Sequence, residues 1–585
     1  MQRFQVLLAK APTKHSQFEN GLDGFRILGS ARTGTLGLLV YCVGVLVLML
    51  IPQLMPAQTA ITTFHYDNGR TGWNSKEATL TPANVAGSSF GILQTIPLDG
   101  QPDAQPLVVP NEQIKAGNFQ GIHNVVYVAT ENNTIYAIDY DTGTVLLSPN
   151  FGAPVPTPGA CPTNPLVGIN STPVLNLATN TMYVMIYTME ANGPVYRLHA
   201  LGLGTLTDQI PPVVVTASQK LTDGSTFNFN ATYQRQRPAL LLSNGNVYAG
   251  FGSFCDHNTN VTRGWLLGWQ ADTLTPLQSV QLLDTQATSP DNYFLTPIWM
   301  SGWGIAADGN NDLYFVTGNS DPSGNTYDGV TNLQESVVKV SPDLSQVLDL
   351  FTPFDWPTLD ANDKDFGAGG IMLLPPRPPV VAVKTTVPPP LPAPAHLALA
   401  AGKTGDMFLM NQEDLGGYDP TANHVLGTFT IGNCFCGASY FLDPKDRSPR
   451  VVTSGGNVVA VWKLQTSPSV TLTNIAQSGS LFPRNHGFNT TVSSNGLINP
   501  IIWAVARQTF QTPALLFFAF NPEAGGGTLT PIFSTSSIGT WPYPGNANLV
   551  PVVANGKVFV GAAQQLTIFG LGAKQKNGVA KTVAR

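Results

Sequence analysis

Three polar loops hold the residues best equipped for chemistry. Glu131-Asn132-Asn133, Cys255-Asp256-His257-Asn258, and the long stretch from Gly318 through Asn319, Ser320 and Asp321 to Asn332, which also holds Asp328, collect carboxylates, amides and one histidine. Oxygen-rich sets of this kind suit a hydroxylated ligand or a hard cation such as calcium. The same residue types are what tight turns require, so plain solvated turns are the competing reading. Asp67, Arg70 and Trp73 form a second group near the start of the chain. An arginine there can serve a bound carboxylate or an aromatic face, or it can pin the leading segment in place. Trp299 and Trp303 flank Ser301-Gly302 and offer rings for a planar ligand or for packing. No metal ligand set is assigned.

The elements that position these residues follow from composition. The chain has 585 residues, more than one ordinary core holds, so it forms several domains or one closed repeat architecture. Charged residues make up only 11%, while Gly at 57 and Pro at 47 are plentiful. Many turns and a neutral polar surface favour an all-β fold. The formal charge of −6 gives no footprint for nucleic acid. Lys574, Lys576, Lys581 and Arg585 form the one basic cluster, which reads as a solvated tail over 572–585.

Arg3, Lys10, Lys14, Arg26 and Arg32 precede an apolar run from Leu36 to Ile51, followed by Pro52 and Pro56-Ala57-Gln58-Thr59-Ala60. A positive flank, an apolar stretch and small residues form an export signal. Residues 1–60 are therefore a charged leader with either a cleaved signal peptide or a retained anchor at 36–55. The expected location is periplasmic or extracellular, with membrane contact through this segment alone. Cys42 is not a lipoprotein cysteine, because Tyr41 precedes it and it lies inside the apolar run.

Repeats account for the rest. AQPLVV (from Ala104) leads to VVYVATENNTIYAIDYDTG (from Val125), three strand-like runs with turn residues between and after them. The same order returns at Ser171, Arg237, Ser301, Gly367, Ala438, Thr490 and Ala547, giving eight triplets of roughly 60 residues each. A fourth strand per unit comes from the linking segments. Phe90 to Leu98 is a strand without its own triplet, and the last triplet, ending at Leu571, lacks a fourth strand. Pairing the two closes a ring and removes exposed edges. The expectation over 61–571 is one β-propeller of eight blades. Seven is the alternative if a weak triplet, the seventh above all, is an insertion. The proline-rich stretch Leu374 to Ala395 reads as a stiff loop inside the fifth unit. In such a ring, loops between second and third strands share a face with the connections between blades, so the three polar loops share that face.

AIDYDTG (Ala137 to Gly143) is similar to the A-x-D-x-x-T-G turn of pyrroloquinoline-quinone-like repeats, with Leu147 where their closing Trp would stand. HYDNGRTGWN (from His65), DGQPDAQPLVVPN (from Asp99), INSTPV (from Ile169), RPALLLSNGNVY (from Arg237), FVTGN (from Phe315) and VANGKVFVG (from Val553) resemble exported bacterial proteins built from these repeats. The resemblance spans nearly all of 62–571 and implies the fold. That family is known mainly as an architecture, and fold alone does not settle function. Its enzymatic relatives, the quinoprotein dehydrogenases, would imply a quinone over the channel with calcium and an Asp base. Their adjacent Cys-Cys pair and a C-x-x-C-H haem motif are both absent here. The leading expectation is a non-catalytic, monomeric module presenting one face to a protein or glycan, with no cofactor assigned. A quinone- and calcium-dependent oxidoreductase is the alternative. An envelope-assembly scaffold is a third reading, weakened by the missing lipoprotein signal.

Four cysteines lie outside the apolar run, an even count that suggests two disulfides in an exported chain. Cys161 and Cys255 fall on neighbouring blades at one face. Cys434 and Cys436 lie almost opposite across the ring and are left to each other, through a turn that Gly432 and Gly437 could permit. Four reduced, buried thiols are the competing reading.

Overall fold

Strands form where β-branched and aromatic runs are punctuated by turn residues, and each triplet becomes part of a four-stranded antiparallel blade. The computed structural model describes residues 58–572 except 158–163, 257, 289–292, 323–326, 377–394, 482–485, 508–513, 537 and 543–548. The leader and apolar run, most of the proline-rich stretch, and the basic tail lie outside the described residues. The innermost strands of blades 1 to 8 are Leu107–Ile114, Val174–Asn176, Leu241–Ser243, Ala306–Ala307, Ile371–Leu373, Ser439–Leu442, Thr490–Asn495 and Val552–Ala554. The fold is an eight-bladed β-propeller, so the seven-bladed alternative falls. The seventh triplet is a full blade, completed by Ile498–Arg507, Leu515–Phe520 and Pro531–Thr535.

Closure follows the expected pairing. Phe90–Pro97 runs antiparallel to Gln565–Leu571, with Phe90 opposite Leu571 and Pro97 opposite Gln565. The core lies between blades: Val109, Tyr127 and Ile135 of blade 1 meet Leu175, Val184 and Ile186 of blade 2, all buried. Burial of such stripes drives closure. The turn after Ile135–Asp139 keeps its repeat logic. Asp139 accepts from the N–H groups of Asp141 (2.9 Å) and Thr142 (3.0 Å), and Gly143 supplies the left-handed residue at φ 77°.

The leading segment from Ile61 to Asn74 bonds to the innermost strand of every blade. Ile61 exchanges hydrogen bonds with Val108 of blade 1 (2.8 and 3.0 Å), and Thr62 C=O accepts from Leu175 N–H of blade 2 (2.8 Å). Asn68 donates to Leu242 of blade 3 (3.0 Å) and accepts from Ala307 of blade 4 (2.9 Å). Gly69, Thr71 and Gly72 carbonyls accept from Leu373, Tyr440 and Val492 of blades 5, 6 and 7 at 2.8, 2.8 and 2.7 Å. Asn74 Nδ2 donates to Val553 C=O of blade 8, and Tyr66 Oη accepts from Val553 N–H, each at 2.8 Å. The segment is an axle threading the ring. His65, Tyr66 and Arg70 turn it through left-handed conformations at φ 54°, 74° and 63°, which the surrounding bonds hold in place.

Candidate functional site

The axial group is spent on the fold. Arg70 is fully buried and donates to the carbonyls of Ile305 (2.6 and 2.9 Å), Phe64 (3.0 Å) and Leu240 (3.3 Å) and to Thr63 Oγ1 (2.7 Å). Burial lowers its guanidinium to about 10, opposed by the charge of Asp67. Asp67 accepts from the N–H (3.1 Å) and hydroxyl of Thr71. Trp73 donates to Ser494 Oγ (2.8 Å) and pairs in parallel with Val492. Trp303 offers no ring face to a ligand, which corrects the stacking expectation for it. Its indole lies 4.1 Å from the ring centre of His65 and 5.3 Å from that of Phe64, and a Cβ on Gly370 or Gly437 would overlap it.

On the face formed by second-to-third-strand loops and blade connections, the picture differs. Asp256 of blade 3 and Asn319 and Asp321 of blade 4 come together with Glu335, Asp360, Asp363, Asp365 and Lys403. Asn319 N–H donates to Asp365 Oδ1 (2.9 Å), Ser320 N–H to Asp360 Oδ1 (3.1 Å), and Phe366 N–H to Glu335 Oε2 (2.5 Å). Lys403 pairs with Asp363 (2.5 Å) and Asp365. Burial, then the charge of Asp365, raises the Asp256 carboxyl to about 7. Burial and neighbouring carboxylates push Glu335 and Asp360 well above the usual range. Burial would lower the Lys403 ammonium, yet Asp365 and Asp363 hold it above its ordinary value. Asn319 Oδ1 is buried with no hydrogen-bond partner, while the side chains of Glu335 and Asp360 hydrogen-bond each other. Asp328 only caps its own turn, accepting from the N–H groups of Val330, Thr331 and Asn332 at 2.7–3.0 Å. His257 lies outside the described residues.

Glu131 belongs to a second polar cluster on this face. Its carboxylate accepts from Gly168 N–H (2.8 Å) and Asn170 Nδ2 (2.6 Å), and Asn170 Nδ2 also reaches Asp103 (2.5 Å). Burial, then the charge of Asp103, raises the Glu131 carboxyl well above its usual range. Arg235 donates to Asn170 Oδ1 (3.1 Å), and Arg237 lies over the Trp299 ring at 5.7 Å. Type and spacing do not flag Asp103, Asn170, Arg235, Arg237, Asp365 or Lys403. A positional signal does: most stand just before an innermost strand, where a blade connection drops into the ring.

Cys434 and Cys436 are joined, with Cα atoms 4.9 Å apart, and Gly432 is left-handed at φ 85° while Gly437 is not. Both cysteines are buried among Leu399, Met407 and Ile431. Cys255 is disulfide-bonded, and Cys161 lies outside the described residues. No helix among the described residues is long and apolar enough to cross a membrane.

No family model matches this chain, and no curated protein does. Solved structures are similar to it. Quinohemoprotein alcohol dehydrogenase from Comamonas testosteroni is 14% identical with a TM-score of 0.51, covering 90% of this chain and 82% of its own. Quinohemoprotein alcohol dehydrogenase ADHIIG from Pseudomonas putida HK5 is 12% identical with a TM-score of 0.54, covering 89% and 82%. A europium-containing methanol dehydrogenase is 11% identical with a TM-score of 0.54, covering 88% and 99%. At such identities the likeness shows the fold, a propeller of the pyrroloquinoline-quinone-like type.

Proposed function

We propose that the chain is an extracytoplasmic, non-catalytic binding module that holds a glycan or protein ligand on its loop face. One observation carries this reading: the loop face concentrates buried polar atoms with no partner, among them Asn319 Oδ1, Arg237 Nε, Arg235 Nη1 and Trp299 Nε1. Buried polar groups are normally bonded, so unmatched ones mark where a water, an ion or a ligand atom can be taken up. The positive flank and apolar run at the N-terminus support export, as does the Cys434–Cys436 disulfide. The test is calorimetric titration of the full chain with envelope polysaccharide fragments. Asn319→Ala should abolish binding while Lys463→Ala, on a blade 6 strand remote from this face, leaves it intact. Binding that survives Asn319→Ala and Asp360→Asn alike would sink the assignment to this face.

A quinone-dependent oxidoreductase is the second reading, favoured by an Asp256 carboxyl that titrates near neutrality beside Asp365 and Lys403. Its cofactors do not fit the described residues. Among the described residues the carboxylates clustered around Lys403 do not converge as three ligands on one metal position, and both faces of Trp303 are covered. The one described cysteine pair is Cys434-Phe435-Cys436, buried and split by one residue where the dehydrogenases' cysteines are adjacent. Reconstitution with quinone and calcium should give no turnover of alcohols or sugars with an artificial electron acceptor. Quinone-dependent turnover would replace the binding reading with this one.

A further inference from the structure

We propose that Arg237, Arg235 and Trp299 form a recognition site for a carboxylate carried on a sugar ring. The inference rests on the binding-module reading and names the ligand chemistry for one part of the same face.

Donors without an acceptor gather here. Arg237 is 9% and Arg235 3% exposed, and neither guanidinium has an ion-pair partner among the described residues. Arg237 Nε, Arg235 Nη1 and Trp299 Nε1 are all buried donors without an acceptor. The nearby acids do not relieve them. Glu131 is taken up by Gly168 and Asn170, and Asp103 by Asn170 and Gln101 (2.7 Å). Burial and the charge of Arg235 lower the Arg237 guanidinium to about 9, against the opposing charges of Asp103 and Glu131, neither of which reaches it as an ion pair. Three unmatched N–H donors on adjoining side chains call for an anion that accepts from all of them.

The geometry selects the kind of anion. A guanidinium presents its N–H groups in a planar fork, matching a carboxylate with two parallel hydrogen bonds. Trp299 is only partly buried, and its ring lies under Arg237, so a flat or chair-shaped ring bearing the carboxylate would have an apolar surface beside the fork. The amide of Gln234, next in sequence to Arg235, and the hydroxyl of Ser171, next to Asn170, are also buried without partners. They add the mixed donors and acceptors that sugar hydroxyls use. A uronic-acid residue combines a carboxylate, a ring and hydroxyls.

The experiment titrates the full-length protein by calorimetry with tri-galacturonic acid and with its methyl ester, which keeps the rings and removes the charge. The acid should bind at least tenfold tighter than the ester, in keeping with the strength of charge-assisted hydrogen bonds. Arg237→Gln should erase that preference. Arg237→Lys, which keeps the charge but loses the fork, should recover only part of it, with thermal melts showing that both variants are folded. Equal binding of acid and ester, or acid binding untouched by both variants, overturns the proposal. Displacement of the acid by an equal concentration of inorganic sulfate overturns its sugar-specific part. If the ester binds as well as the acid and Asn319→Ala abolishes both, the carboxylate site falls while the loop-face reading stands. If neither binds anywhere on the face, both fall.

Discussion

Arg70 and Arg237 are the same residue type, both buried, and the ring uses them in opposite ways. Arg70 sits on the axle, where its donors end on the carbonyls of three successive elements and on Thr63. Arg237 sits on the loop face, where it has an aromatic ring beneath it and no acceptor among the described residues. The axle is close to fully satisfied, with His65 Nε2 its exception, whereas the loop face carries unmatched atoms across several blades. Burial alone therefore says nothing about role. What separates a structural arginine from a ligand-facing one is whether the chain itself supplies the acceptors.

Arg70→Met should have the largest effect. It keeps an apolar stem but leaves the Ile305, Leu240 and Phe64 carbonyls buried and unpaired, and removing a buried, bonded charge typically costs about 3–5 kcal/mol. Denaturant unfolding of the purified protein should show it. A cost no larger than that of Arg237→Met would erase the contrast between axle and face.

Gly370→Ala and Gly437→Ala come next. Each adds a Cβ that overlaps the Trp303 indole, which His65 and Phe64 already back. Overpacking of this kind costs about 1–3 kcal/mol. Gly193→Ala is the control for space, since nothing lies within 4 Å of a Cβ there, although its φ of 115° adds backbone strain of its own. Melting temperatures lowered more at Gly370 and Gly437 than at Gly193 would confirm that the axis is filled.

Asp256 should give the loop face a pH response opposite in sign to that of His65 on the axle, whose imidazole burial lowers to about 3. The Asp256 carboxyl is raised to about 7 in the folded protein, against about 4 in an unfolded chain. Between those values the native state binds the extra proton. Stability from this group is therefore full below about pH 4, declines as pH rises towards about 7, and then levels off. Asp256→Asn should flatten that part of the curve. A wild-type profile that rises from pH 4 to 7, with the variant parallel to it, would reverse the sign.

The ring was legible in the sequence because a repeat states its pattern eight times, and because Phe90–Pro97 had no other strand to pair with. Asp256, Asn319 and Asp321 were readable as neighbours for the same reason, since the loop rule puts them on one face. Asp365, Lys403 and Arg237 were not. Asp365 and Arg237 lie in blade connections of irregular length, where no period marks which residue drops into the ring, and Lys403 is a lone lysine among the turn residues between the second and third strands of blade 5. The axle was hidden differently: Arg70 reads alike whether its acceptors are a ligand's or those of blades reached 170 and 235 residues later.

Arg237→Met should have the smallest effect on folding, and it is the sharpest test of the comparison. Losing Arg237 breaks no hydrogen bond or ion pair among the described residues, only a ring contact with Trp299 that methionine can partly replace. Against that small loss stands the removal of a desolvated cation, lowered by burial and Arg235 by more than Asp103 and Glu131 restore. Replacing an uncompensated buried charge by an apolar side chain is often neutral or stabilising. The expected change in unfolding free energy is within about 1 kcal/mol of zero, on the stabilising side. Chemical denaturation of the wild type and variant, without any saccharide present, measures it. A loss of about 3 kcal/mol, the size expected of a paired buried charge, would mean that Arg237 has an acceptor in the folded chain and is a second staple. A neutral or stabilising result would mean the fold keeps a cation that it does not need for itself.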